Sequence, residues 1–432
     1  VNSLAELYPH FRDEVEKAKS DIDSHALRAK AKAPANDNRP RLVAPPAAII
    51  SYEPSPFVWR EPKTIPLRDW IYGRHLLRRH VSATIASGAV GKSSLKIVEA
   101  LALATGRPLL GIEVPKRARV WLFNLEDEKT EMDRRMIAAM IHYRIKPEDV
   151  EGYLFVESET SLVITATDRN GTKIRVPVVG GLIDAIKRRA VDALIIDPFI
   201  SSHDSPENDN GAMDLIVKRG WIPVAREGEC AVDILHHTTK TDTTSGMATA
   251  MSARGGGSLI AACRSVQVLN PMMPDDASKA GLPSEAGYFS GYGDKQNLTP
   301  KTGLRDWYKI ESVSLGNGGK GNLAVLRSDQ IGVVTRWQYP TNASFTEDVT
   351  ADQLQAILNR LKIGEHRKDN QSKDWAGYIV GEILDLGSSK DTMKSTDRQR
   401  ITRMLDMWIE DGELEVYTAT AGRQKRQFLR AV

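Results

Sequence analysis

Ala86-Ser87-Gly88-Ala89-Val90-Gly91-Lys92-Ser93-Ser94 is the stretch whose reading decides the fold. A short apolar run, Val81 to Ile85, precedes it, and an amphipathic one, Leu95 to Leu103, follows. The order is therefore strand, small-residue loop, helix. Small residues let backbone N–H groups turn inward on a polyphosphate, and the following helix adds the positive end of its dipole. In such a loop the lysine reaches the β- and γ-phosphates and the next hydroxyl holds Mg²⁺; Lys92 and Ser93 occupy those positions. The first position of the motif is ordinarily glycine and here is Ala86, which fits if its φ stays negative. Residues Ala86 to Ser94 thus predict a nucleotide site, with ATP and Mg²⁺ as its ligands.

At 432 residues the chain is long enough for two or three domains. Hydrophobic residues make up 41% and charged ones 27%, and the mean hydropathy is −0.35, values of a water-soluble globular protein. The net charge of +3 assigns any nucleic-acid contact to local patches rather than to a global field. Cys230 and Cys263 lie in apolar segments without metal-type spacing, so reduced core thiols and a cytoplasmic location are expected. No run of 18 uncharged apolar residues and no signal-type apolar region is present, which argues against membrane insertion.

Residues 1–60 read as a helical segment, Leu4 to Leu27, followed by a flexible linker, Lys30 to Pro46, rich in Ala, Pro, Asn and basic residues. Ile65 to Tyr72 either packs against the nucleotide base or forms an aromatic lid on the core. Beyond the loop, apolar strands ending in polar residues alternate with helices. The strands are Arg119 to Leu125 before Glu126-Asp127, Asp192 to Asp197, Ala231 to His237, and Ser265 to Leu269; helices are read at Lys129–Tyr143, Gly180–Ala190 and Met213–Ala225. This alternation predicts an α/β fold with a mainly parallel sheet over residues 61–340, its ligands at the carboxyl ends of the strands. From Asp294 to Tyr339 the pattern is of β-hairpins: Trp307–Val313, Asn322–Leu326 and Val333–Trp337. Residues 345–432 form a separate unit with helices at Ala351–Ile363, Asp374–Leu386 and Thr396–Asp411. Two strands, Glu413–Tyr417 and Gln427–Arg430, follow around the basic turn Arg423-Gln424-Lys425-Arg426. Three helices and a two-stranded wing describe a winged helix, which would either dock on duplex DNA through Thr396–Asp411, with Arg423, Lys425 and Arg426 near the backbone, or serve as a protein-docking module.

Phosphate hydrolysis needs a metal, a positioned water and neutralisation of developing charge. Asp197 ends an apolar strand, where a carboxylate can orient Mg²⁺; Pro198 follows, so the base must come from another strand, and Glu126 is the natural candidate. Either His236 or His237 is placed to sense the γ-phosphate. The polar loop Thr239–Gly257 carries Lys240 and Arg254; Arg254 serves either as an arginine finger toward a neighbouring subunit or as a phosphate contact to nucleic acid.

These residues, in this order, resemble the RecA-like ATPases of the RepA-like (AAA_25) group, hexameric replicative DNA helicases of plasmids and prophages. The resemblance covers residues 65–300 and rests on Gly88-Ala89-Val90-Gly91-Lys92-Ser93, Asn124-Leu125-Glu126-Asp127, Ile195-Ile196-Asp197, Leu235-His236-His237-Thr238-Thr239-Lys240, Arg254-Gly255-Gly256-Gly257-Ser258 and Asp294-Lys295-Gln296-Asn297. It implies Glu126 as base, Asp197 on Mg²⁺, a strand-end histidine as sensor and Arg254 reaching the neighbour's nucleotide. It also implies Lys295 as a second cation near that interface, and a homo-hexameric ring around single-stranded DNA. The expectation is an ATP-dependent DNA motor; an ATP-switched loader or regulator without unwinding is the alternative, and a small-molecule P-loop kinase is disfavoured by the long loop carrying Arg254.

Overall fold

The computed structural model describes residues 53–168, 171–238, 247–253, 256–300, 303–319, 327–421 and 424–432. The expected helix Leu4–Leu27, the linker Lys30–Pro46, the strand Asn322–Leu326 and residues Lys240, Arg254 and Arg423 lie outside the described residues. The chain divides into two units, Val1–Pro66 and Leu67–Val432. In the first, a proline-initiated 3₁₀ turn spans Pro62–Thr64, its Thr64 hydroxyl donating to the Glu61 carbonyl.

The second unit begins with a hairpin, β1 (Trp70–Tyr72) and β2 (Leu76–Leu77), then β3 (Val81–Ala86) and α1 (Lys92–Thr105). Next come β4 (Val120–Asn124), α2 (Lys129–Tyr143), β5 (Leu154–Glu157), the small hairpin β6 (Thr165–Asp168) and β7 (Gly171–Ile174), and α3 (Val176–Arg189). β8 (Ala193–Asp197), α4 (Asn210–Leu215), α5 (Ile222–Glu227), β9 (Ala231–His237), α6 (Gly256–Ala262) and β10 (Ser265–Pro271) continue the alternation. α7 (Pro274–Lys279), β11 (Tyr288–Gln296), β12 (Asp306–Ser314) and β13 (Gln330–Trp337) complete it.

A nine-stranded sheet runs β13-β12-β11-β10-β3-β9-β8-β4-β5. It is parallel from β10 to β5 and antiparallel from β10 to β13. Strands such as Ala193–Asp197 are buried throughout, as a parallel sheet covered on both faces requires. One face packs on Ile186, Trp221 and Leu259, the other on Leu95, Leu101 and Met132.

Three local expectations change. The helix read at Met213–Ala225 is interrupted by a π-helical turn, Ile216–Trp221. Pro223, which has no N–H to donate, sits at the start of α5 just beyond it. The material from Asp294 to Tyr339 joins the central sheet through β11, because Gly291 and its neighbours pair with β10 on one side and β12 on the other. The Ile65–Tyr72 alternatives resolve toward the core: Ile71 and Tyr72 are buried in the α1-side cluster, and neither lines the cavity at the Lys92 loop.

After α8 (Asn342–Thr346) come α9 (Ala351–Leu361), β14 (His366–Arg367), α10 (Gly377–Ile383), α11 (Ser395–Glu410), β15 (Leu414–Ala421) and β16 (Gln424–Ala431). Thr350 caps α9 in a reciprocal box with Gln353. The antiparallel sheet β14-β16-β15 lays Leu414, Leu429 and Ala431 on Ile357, Trp375, Ile401 and Leu405. Residues 397–409 of α11, the helix expected to face DNA, are all buried or half-buried. Lys425 and Arg426, expected in a turn, lie within β16, opposite Thr420 and Ala419.

Candidate nucleotide site

β3, fully buried, ends at Ala86, whose carbonyl accepts a bond from the Thr238 N–H (3.2 Å). Ala86 is strand backbone; the left-handed conformations fall on Ala89 (φ 64°) and Gly91 (φ 106°). The alanine at the motif's first position is thus accommodated. Gly91 is required twice over: its φ favours glycine, and a Cβ there would meet the Phe289 ring at 3.2 Å and Ile310 at 3.3 Å. Among the described residues, no backbone N–H from Gly88 to Gly91 donates to another backbone carbonyl. Bare N–H groups beside a helix start are what a phosphate needs, and the loop fits one.

A cavity of about 490 Å³ opens on this loop, walled by Lys92, Ser93, Glu126, Asp197 and His237. Lys92 is 6% exposed and its ammonium lies 3.5 Å from Asp197 Oδ1 and 3.5 Å from His237 Nε2. The sheet order produces this convergence. Asn124 pairs with Asp197 across β4 and β8, and the Leu125 N–H donates to the Asp197 carbonyl at 2.7 Å. Glu126, one residue on, therefore emerges at the same rim. The Asn124 side chain then shapes the turn, accepting from the Glu126 and Asp127 N–H groups at 3.0 and 2.7 Å. Asp127 is held by Asn124 and by Arg135 (2.7 Å), whereas Glu126 is exposed at the cavity.

Successive strand side chains point to opposite faces, and this separates the two histidines. His237 faces the cavity. His236, 1% exposed, packs edge-on against Phe199 (5.5 Å) and lies 3.8 Å from Glu207 Oε1. Lys295 lies elsewhere: its ammonium donates to the carbonyls of Ile260 (2.6 Å), Ala261 (3.0 Å) and Cys263 (2.8 Å), closing the C-terminal end of α6.

Sequence reasoning missed the cavity's other walls. Glu131 and Arg135 come from α2, and Ile310, Gln330, Ile331 and Gly332 from β12 and β13. The first pair had a signal, since Arg135 lies four residues after Glu131 on one helix face. The strand residues had none, because their place depends on long-range pairing. The segment after β8 is pinned at Asp204, whose carboxylate accepts from the Thr165 hydroxyl (2.5 Å) and the Thr167 N–H (3.0 Å).

His203, on the same loop, is 7% exposed beside Phe199. Burial, helped by His236, pushes its pKa from 6.5 down to about 4. The folded chain keeps this imidazole neutral while the unfolded chain protonates it below about 6.5. Its contribution to stability is complete above that pH and shrinks as pH falls toward 4, by up to about 3 kcal/mol. Urea midpoints compared at pH 7 and pH 5 should show this loss, and His203→Asn should flatten the difference.

A parallel sheet with a phosphate loop after one strand and carboxylates at the tips of two others defines a RecA-like P-loop ATPase core. Residues 48–243 match the family model AAA_25, described as an AAA domain. No curated protein matches the chain. Similar solved structures include the RadB recombinase, at 14% identity over 55% of this chain and 89% of that one, with a TM-score of 0.37. The ATPase domain of G40P matches at 15% over 54% and 82%, TM-score 0.40. A KaiC-like protein from the hyperthermophilic archaeon Pyrococcus horikoshii matches at 11% over 55% and 88%, TM-score 0.36. Scores this low support no functional inference. Among the described residues, no helix is long and apolar enough to cross a membrane.

Proposed function

We propose that the chain is an ATP-hydrolysing, ring-forming DNA motor, a replicative helicase of a plasmid or prophage that moves along single-stranded DNA. The observation that carries the reading is the convergence of Lys92, Glu126, Asp197 and His237 on one cavity beside a loop of unpaired N–H groups. In this reading residues 88–93 cradle the phosphates and Lys92 neutralises charge at the terminal ones. Ser93 and Asp197 hold Mg²⁺, which when bound polarises the phosphate oxygens. Glu126 takes the proton of the attacking water, and His237 reports the terminal phosphate to β9 and the loop beyond it. A second cavity of about 280 Å³, lined by Ser87–Val90 and by Met272, Tyr288 and Phe289, suits the base. Arg254 is assigned to the neighbouring subunit's nucleotide and Lys240 to DNA phosphate. The C-terminal domain, with three helices ahead of a wing, is read as a winged helix.

The test is steady-state ATPase activity with and without single-stranded DNA, together with mass in solution with ATP. DNA-stimulated turnover in a ring-sized particle supports the motor. Assembly with negligible turnover transfers the reading to a loader, and a DNA-indifferent monomer sinks both. The two histidines should separate in the same assay. His237→Ala should lower turnover by about tenfold or more, the worth of one hydrogen bond to a charged group. His236→Ala should leave turnover nearly unchanged and instead destabilise the fold by about 1–3 kcal/mol, through the space opened against Phe199.

A further inference from the structure

We propose that the C-terminal domain holds a single-stranded nucleic acid on the outer face of its sheet, through Arg367, Tyr417, Arg426 and Arg430, while α11 is an internal fastening. This rests on the DNA reading above and says where in this domain the strand lies.

The first observation is that α11 is already occupied. The Arg398 guanidinium donates to the Asn370 carbonyl (2.8 Å) and lies over Trp375 (5.5 Å) and Tyr378 (5.4 Å). Arg400 donates to the Phe345 carbonyl (2.9 Å) and pairs with Asp348. Arg403 pairs along the same helix with Glu410 at 3.3 Å. The loop after α7 comes so close that a Cβ on Gly281 would sit 3.2 Å from the Phe345 ring and 3.7 Å from the Arg400 backbone nitrogen. A helix that enters a groove must present a bare face; on α11 only Ser395, Thr396 and Glu410 are exposed.

The second observation is the sheet's other side. Register places Arg367 and Tyr417 opposite Phe428, Glu415 opposite Arg430, and Ala419 opposite Arg426. Directly opposed residues share a face, and this face is turned away from Leu414, Leu429 and Ala431, which enter the core. Tyr417 and Phe428 stack at 5.6 Å; Arg367 lies over Phe428 and Arg430 over Tyr417, each at 5.2 Å. Arg430 is balanced by Glu415, but exposed Arg426 forms no ion pair among the described residues. Arginines alternating with aromatic rings on a sheet are suited to a flexible strand, the cations meeting phosphates and a ring meeting a base.

The experiment uses the full chain and fluorescence anisotropy with labelled oligo(dT) over a range of salt. Arg426→Glu should weaken binding at least about fivefold and reduce the log–log salt slope by about 0.7, the value for one phosphate contact on a single strand. Thr396→Glu, on the exposed start of α11, should change the affinity less than twofold. Ala419→Lys, opposite Arg426, should tighten binding, a gain that misfolding does not produce. Wild-type affinity and slope in Arg426→Glu, or equal weakening by Thr396→Glu, would overturn the proposal while the DNA reading stands. A wild-type chain that binds no oligo(dT) would overturn both.

Discussion

Glu126→Gln is expected to lower ATP turnover by about two to three orders of magnitude, the range lost when a general base is removed from phosphoryl transfer, while nucleotide affinity changes little. The expectation follows from how the turn after β4 distributes its two acids. Asp127 is engaged by Asn124 and Arg135, so its charge is spent on the turn. Glu126 stands exposed at the cavity rim, one residue past the point where β4 is tied to the Asp197 carbonyl. Asp127→Asn should therefore act through the turn, with a smaller loss of rate and a measurable loss of stability. Steady-state ATPase rates beside fluorescent-nucleotide titrations separate the two. Retention of more than a tenth of the wild-type rate in Glu126→Gln would remove Glu126 from the chemistry.

Asp233→Asn should be the most destabilising single substitution at a position away from the cavity, costing about 3–5 kcal/mol, as when a buried ion pair loses one partner. Asp233 is 1% exposed and Lys96 fully buried. The Lys96 ammonium lies 2.9 Å from Asp233 Oδ2 and 2.7 Å from Glu99 Oε2, and His75 Nε2 lies 3.1 Å from Asp233 Oδ1. Burial by itself would raise the Asp233 pKa, but Lys96 and His75 hold it well below the usual carboxylate range. Burial would likewise lower the Lys96 pKa, yet Asp233 and Glu99 raise it. Both groups are thus ionised together. Neutralising the aspartate strips Lys96 of one of its two close carboxylates in a dry interior. Lys96→Met should cost a comparable amount, and the double variant less than the sum, because each single change leaves the other's charge uncompensated. Chemical denaturation of the four proteins measures all three terms; strict additivity would refute the coupling.

The readable parts of the sequence were those in which a few adjacent residues carry the geometry. Ala86–Ser94 announced strand, loop and helix by itself, and Ile195-Ile196-Asp197 announced a buried strand with a polar tip. Parity within a strand was not readable at His236-His237, because one residue of phase decides which ring faces the cavity. Pairing of distant segments was no more accessible. Nothing local in Ile310 or Gly332 says that β12 and β13 extend the central sheet, and the two residues of β14 are too few to show a pattern. α11 is the sharpest case. Its arginines look like solvent-facing charges in sequence, and only the neighbours Asn370, Phe345, Asp348 and Glu410 show that they are engaged within the chain.

β13 contributes Gln330, Ile331 and Gly332 to the cavity wall. The Tyr143 hydroxyl grips it at the Val334 carbonyl (2.7 Å), and it ends at Trp337, a short way before the Phe345 carbonyl that Arg400 holds. An eight-residue strand is about 27 Å of stiff backbone. One end of this strand therefore walls the nucleotide cavity, and the chain leaves its other end toward the Phe345 carbonyl that Arg400 holds. All eight residues of β13 pair with β12, so a displacement of the cavity wall at Gly332 is shared with the edge of the central sheet instead of being absorbed by one loose strand.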